Sequence, residues 1–280
     1  LDDDAPPPAT EQASAALSEE APPEPAQPGA DVADPAFDAA PEPAESRTAP
    51  ADAAPVTHHD GSSAGHNAGF PTVEPVPPFE LLGSTVIPGE TGKLSWFSDQ
   101  HYSGVSSPAQ VLVAHGSRPG QVLCVVAAVH GDEINGVEIA RRVFHRTDPT
   151  QLAGTLVVVP ITNLHGFERG YRYLADRRDL NRHFPGSAAG SLASRIAHSF
   201  FHNVVRRCDT VVDLHTGSFH RTNLPQLRAD LGNPAVVHLT HGFGATAVVD
   251  DDGTPGTLRR AANNAGIAAV TLEIGEPMRL

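Results

Sequence analysis

The feature that most constrains this chain is an alternation that runs from about residue 109 to its end. Continuous apolar runs, "AQVLVAHG", "GQVLCVVAAVHG", "GTLVVVPITN", "DTVVDLHTG" and "IAAVTLEIG", are separated by amphipathic stretches. The runs are Val-rich and bounded by Gly and Pro, which reads as strands. Between them, "INGVEIARRVFHR" carries Ile134, Val137, Val143 and Phe144 near helical spacing, and "SLASRIAHSFFHNVVRR" sets Leu192, Ile196, Phe200 and Val204 at steps of four. "GTLRRAANNAG" reads as a third helix, ended by Gly266. Strands apolar on both faces, alternating with helices, predict an α/β fold: a mostly parallel or mixed twisted sheet with helices on both faces. "STVIPG" and "KLSWF" add short strands in front, so order is expected from residue 76 to 280.

Ligands of such sheets bind beyond the carboxyl ends of the strands. His130, Asn163, His215 and Glu273 each stand at the carboxyl end of a predicted strand or just past it. "AAVHGDEINGVEIARRV" places His130 and Glu133 three residues apart at the turn into a helix, where an imidazole and a carboxylate can meet on one ion. His215 offers a second imidazole from another strand end. Two histidines and a carboxylate leave a position open for water, as in catalytic zinc sites. Asp213, two residues before His215, is expected to orient it, and Gly131 to permit close backbone approach at the turn. The same donor set accepts cobalt or manganese. The bland alternative is that these are a few of fifteen ordinary histidines. His58, His59 and His66 lack any framework for a metal.

The net charge of −14 describes the first part of the chain. Residues 1–80 hold sixteen Asp and Glu against Arg47, which leaves the rest close to neutral. Residues 1–75, rich in Ala, Pro and acids, cannot bury enough apolar surface to order themselves and are expected to form a disordered tail. No basic stripe argues for nucleic acid, and no apolar run reaches the roughly 20 residues of a membrane span. No signal peptide is visible at the start, so a cytoplasmic location is expected. Cys124 and Cys208, in or beside apolar runs, read as buried, reduced core residues. "GSSAG" (61–65) fits a serine-hydrolase pattern but has no strand or helix beside it. "GFGATA" (242–247) fits a dinucleotide pattern but is followed by "VVDDDG" rather than by a helix.

Four blocks, "AAVHGDEINGVEIARRV", "VPITNLHGFERGYRYLADRRDLNRHFPGSAAGSLASRIA", "VVDLHTG" and "GTLRRAANNAGIAAVTLEIGE", resemble the succinylglutamate desuccinylase/aspartoacylase family. This family is related to the zinc carboxypeptidases, and the likeness is nearest to the bacterial-type predicted deacylases. The resemblance spans roughly residues 80–280. It implies one Zn2+ held by His130, Glu133 and His215, and Glu273 as general base and acid. It also implies Asn181 and Arg182 as binders of a substrate carboxylate, and Arg172 as the group polarising the scissile carbonyl, with Arg177 and Arg178 as competitors for that role. Members usually continue past the position of Glu273, so the catalytic domain is expected to be truncated at its C-terminus.

The resulting expectation is a zinc-dependent amidohydrolase that removes an acyl group from an N-acyl amino acid or related small linear amide. The partner is then a small molecule, with no nucleic acid, no membrane and an unassigned oligomeric state. Two alternatives are a zinc carboxypeptidase acting on peptides and an inactive metal-binding or scaffold fragment.

Overall fold

The apolar runs assemble into one eight-stranded sheet. The computed structural model describes residues 75–98 and 108–278. A short hairpin, β1 (Phe79–Leu81) and β2 (Ser84–Val86), precedes β3 (Glu90–Trp96), β4 (Ala109–His115) and β5 (Arg118–Ala127). Then come α1 (Asn135–Arg146), β6 (Ala153–Val159), α2 (Leu164–Glu168), α3 (Leu192–Asn203) and β7 (Thr210–His215). The last elements are β8 (Gln226–Ala229), α4 (Pro234–Thr240), β9 (Val248–Asp250), α5 (Leu258–Asn264) and β10 (Ala268–Glu273). The sheet order is β3-β4-β6-β5-β7-β10-β8-β9. The central strands β6, β5, β7 and β10 are mutually parallel, while β3, β4 and β8 join by antiparallel pairing. The expected tail, but for Pro75, lies outside the described residues, as do "GSSAG" and the histidines at 58, 59 and 66. "GFGATA" leads through Gly244 at φ +62° into β9, with no helix to receive a phosphate.

Both faces are covered, as the fully apolar runs require. One face packs α3 and α5 through Ile196, Phe200, Leu258 and Ala262 against Cys124, Val126, Val211 and Ala269. The other packs α1 and α4 through Ala140, Phe144 and Val236 against Val125, Ala127, Val212 and Val270. Side chains alternate faces along a strand. Along β7 and β10, Val211 and Ala269 therefore share the α3/α5 face with Asp213, His215, Thr271 and Glu273. Burying the Phe200 ring, which stands 5.0 Å from Trp96, makes this cluster expensive to open; truncating such a ring costs about 3–5 kcal/mol.

Two expectations change. On α1, Ile134 and Val143 are exposed, and the buried line is Gly136, Ala140 and Phe144. A Cβ on Gly136 would stand 3.0 Å from Leu214 and 3.2 Å from Ala127, so small residues let this helix lie close to the sheet. The second change concerns the cysteines. Both are buried as expected, at 1% and 5% exposure, but they form a disulfide rather than two thiols. Sheet order explains it: β5 and β7 are neighbours, Cys124 is paired with Val211, and Cys208 stands just before Thr210. That leaves the Cα atoms 5.8 Å apart, within bridging range.

Candidate active site

The turn after β5 is shaped before it is functional. Ala128 adopts φ +46°, a left-handed conformation that a residue with a Cβ rarely takes. It is held there by neighbours: Thr162 N–H and its hydroxyl both donate to Ala127 O, and Asn163 N–H donates to Ala128 O. At Gly131 a Cβ would lie 2.1 Å from the carbonyl carbon of Gly166, so only glycine lets the turn pass beneath α2. Asn163, expected near the ligand site, instead builds this support. Its Oδ1 accepts from Gly166 N at 2.9 Å and its Nδ2 donates to Arg172 O at 3.2 Å.

The turn delivers His130 and Glu133 beside His215 at the end of β7. His130 Nδ1 lies 2.8 Å from Glu133 Oε1, His215 Nδ1 lies 2.9 Å from Glu133 Oε2, and the two imidazole nitrogens are 3.2 Å apart. All three residues are buried. Zinc binds such donors at about 2.0–2.2 Å, so on a tetrahedron they stand about 3.3 Å from one another. The observed spacing is close to that. Each far ring nitrogen has a carboxylate within reach, the kind of partner that orients ligating histidines. His215 Nε2 is 2.8 Å from Asp213 Oδ2, as anticipated, and His130 Nε2 is 3.1 Å from Asp179 Oδ1.

The electrostatics of this cluster favour a charged carboxylate and positive charge beside it. Burial alone would raise the Glu133 carboxyl, but the adjacent His215 and His130 imidazoles hold it well below the usual carboxylate range. Burial likewise opposes charge on His215, yet the Asp213 and Glu133 carboxylates outweigh it and push the imidazole well above its ordinary value. Glu133 also accepts from Thr216 N–H at 2.9 Å and from the Ser218 hydroxyl. By the spacing of their donor atoms, His130, Glu133 and His215 could hold one divalent ion.

Around them lies a cavity of about 600 Å³, lined by Arg172, Asp179, Asn181, Arg182, Asn223, Arg228 and Glu273 among others. Arg172 donates to Glu133 Oε1 at 3.1 Å, to Asp179 Oδ2 at 2.9 Å and to the Ser218 hydroxyl. Arg178 instead lies half exposed, 3.9 Å from Asp176, and neither it nor Arg177 lines the cavity. Asp179 binds both His130 and Arg172. Burial pushes its carboxyl up, but His130 and Arg172 outweigh that and hold it below its ordinary range. Arg182 is exposed at the wall, its Nη1 donating to Asn181 O at 2.7 Å. The Asn181 side-chain oxygen accepts from Leu258 N at 2.7 Å, so this residue ties the wall to the start of α5.

Glu273 ends β10 in register with His215, on the same face of the sheet. Its Oε2 accepts from Asn223 Nδ2 at 2.8 Å, and its Oε1 stands 3.5 Å from Arg228 Nε. Deeper in the wall, buried Arg259 donates to Asp251 Oδ2 at 3.0 Å. Sequence reasoning singled out neither Asp179 nor Ser218, Asn223 and Arg228. Asp179 carried a signal, since it opens "DLNR" in the second block of the family resemblance; the other three sit in a single helical turn, a loop and the four-residue strand β8, with no periodic pattern.

Residues 119–280 match the sequence model of the succinylglutamate desuccinylase/aspartoacylase catalytic domain. The chain is 31% identical over 126 residues to an N-alpha-acetyl-L-2,4-diaminobutyric acid deacetylase from Halomonas elongata, covering 45% of this chain and 36% of that one. A succinylglutamate desuccinylase from Silicibacter sp. superimposes with a TM-score of 0.59 at 25% identity, over 66% of this chain and 59% of the other. The product-bound ectoine utilization protein EutE (DoeB) from Ruegeria pomeroyi gives 0.61 at 24% identity, over 72% and 63%. The chain thus spans less than two thirds of the length of each of these relatives. Strand-end site, fold and sequence agree: the chain belongs to the succinylglutamate desuccinylase/aspartoacylase family.

Proposed function

We propose that this chain is a zinc-dependent hydrolase that removes an acyl group from an N-acyl amino acid or a related small linear amide. The observation that carries the reading is the meeting of His130, Glu133 and His215 within 4.8 Å, beside a strand-terminal glutamate on the same face. A divalent ion held there would act as a Lewis acid toward the acyl oxygen and lower the pKa of water. Glu273 takes a proton from the attacking water and passes it to the leaving amine, a role worth on the order of 10²–10⁴ in rate. Arg172 stabilises charge that develops on the acyl oxygen. Arg182 offers its planar fork to the substrate carboxylate, and Asn181 holds that fork's backbone in place. The relative from Halomonas elongata, by its name a deacetylase of an N-acetylated amino acid, supports this substrate class.

The test is a panel of N-acyl amino acids and peptides offered to wild type and His215→Ala, with metal content measured on both. Zinc near one per chain and turnover of N-acyl amino acids, both lost in the variant, is the expected result. Equal slow turnover by both proteins refutes it.

The cytoplasmic location expected from the sequence sits poorly with a buried disulfide. Such bonds belong chiefly to oxidising compartments. Among the described residues no helix is long and apolar enough to cross a membrane. We infer a site of action outside the reducing cytosol.

A further inference from the structure

The loop that follows β7 returns across the cavity before entering β8. It is anchored at its start by Gly217 N–H, which donates to Gly275 O at 3.0 Å. At its end Gln226 enters β8 directly opposite Glu273 in antiparallel register. Asn223 sits between these anchors, half-buried and outside any regular element. Its Nδ2 donates to Glu273 Oε2 at 2.8 Å, and among the described residues its Oδ1 accepts from Gln226 Nε2 at 3.4 Å. The other carboxylate oxygen of Glu273 has Arg228 Nε at 3.5 Å, beyond ordinary hydrogen-bond length. Arg228 is drawn equally toward Asp251, 3.7 Å away. The two oxygens of Glu273 are therefore unlike: Oε2 is engaged by a short bond and Oε1 is not.

We propose that Asn223 is a positioning residue that clamps Oε2 of Glu273 and leaves Oε1 as the oxygen that handles the proton. The inference rests on Glu273 acting as the base in the hydrolysis proposed above. A neutral amide suits the task. A lysine or arginine at the same distance would hold the carboxylate as a tight ion pair, whereas an amide orients it with one weaker bond. A terminal carboxylate has a broad, two-fold torsional preference and little orientation of its own. Placing its oxygen within reach of a water beside the His130–Glu133–His215 cluster therefore needs a donor fixed by the backbone, which the two anchored ends of the loop supply. Misplacement of a reacting group by about 1 Å can cost on the order of a hundredfold in rate.

The experiment compares Asn223→Ala, Asn223→Asp and Asn223→Gln in the zinc-loaded protein. The aspartate is close to isosteric but cannot donate, and the glutamine keeps an amide. The expected result is a fall in kcat of about tenfold to a hundredfold for Ala and Asp, partial recovery for Gln, and KM and zinc content unchanged. Wild-type kcat in Asn223→Asp overturns the proposal, as does a loss carried by KM or by zinc content. Crystal structures of wild type and Asn223→Asp decide the placement without turnover: the Glu273 carboxylate keeps its bond to residue 223 in the first and turns away in the second. If wild type hydrolyses no N-acyl amino acid, the hydrolase reading fails while this structural arm still judges Asn223. An unmoved Glu273 carboxylate in the variant overturns the proposal.

Discussion

Cys124 and Cys208 are joined across 84 residues of sequence, and that separation sets how much their bond contributes. Closing a loop of about 85 residues in the unfolded chain removes roughly 15 cal/mol/K of entropy, or about 4.6 kcal/mol at 25 °C. The bond joins the second half of β5 to the residue two before β7, and the same two strands lead on to His130 and His215. Their ladder already holds the folded register, so the effect falls chiefly on the unfolded state. For a domain of this size each kcal/mol moves the melting midpoint by about 2–4 °C. The Cys124→Ala/Cys208→Ala protein should therefore melt about 9–18 °C below the oxidised wild type. Alanine is chosen because serine would bury an unpaired hydroxyl at sites that are 1% and 5% exposed. Both proteins are melted free of metal, because an ion bound only to the folded state would add its own stabilisation. Intact mass after alkylation without reductant gives the parallel reading, with no thiol labelled in wild type. Two labelled thiols in protein made in an oxidising compartment, or midpoints within about 2 °C of each other, would refute the reasoning.

Three further outcomes follow from the site. Asp213→Asn, which weakens the carboxylate behind His215, should lower zinc affinity by about 10–100-fold in a competition titration. Arg172→Lys keeps the charge but loses the fork that spans Glu133 and Asp179, and kcat should fall by about 10²–10³ while the fold stays intact by circular dichroism. Asp251→Asn strands the buried Arg259 guanidinium and should destabilise the domain by about 1–2 kcal/mol, a value discounted because Asp251 is partly exposed. Its pH dependence has a definite sign. Burial opposes the Asp251 charge, but the Gly253 amide and Arg259 outweigh it and hold the folded-state carboxyl below its unfolded value. The stability gap to the asparagine variant is thus full above about pH 4 and closes as pH falls further, in urea melts at a series of pH values.

The sequence revealed most where chemistry and periodicity were local. β7 and β10 end in His215 and Glu273, residues whose types suggest a use, and the H-x-x-E spacing needs only one turn to be meaningful. What escaped depends on which strands become neighbours. Nothing in "GQVLCVV" or "RRCDTVV" says that these runs lie side by side, so two cysteines 84 residues apart read as separate thiols until the sheet order joined them. The buried face of α1 is only partly legible in its apolar residues: Phe144 is buried, but Ile134 and Val143 are larger and more apolar than Gly136 and Ala140, and proximity to the sheet selects for small size. Strands β8 and β9 are four and three residues long and carry charged residues, too short and too polar to show a period. Asn223 was invisible for a similar reason, since a loop residue acquires its role only from the strand end it faces.

Parity along the strands accounts for why the site could be read at all. On β7 the residues facing α3 and α5 have odd numbers, Val211, then Asp213 and His215; on β10 they are again odd, Ala269, then Thr271 and Glu273. Parallel pairing sets Asp213 beside Thr271 and His215 beside Glu273, so the imidazole, the carboxylate behind it and the late glutamate share one face. A slip of one residue in β10 would turn Glu273 to the opposite face and bring Leu272 into the cavity. Such a slip is opposed by the alternate side chains, because Ala268, Val270 and Leu272 pack on the α1/α4 face while Ala269 packs on the other. The apolar pattern that stabilises the sheet therefore also sets the alignment of the polar strand ends. Packing and chemistry are specified by the same register.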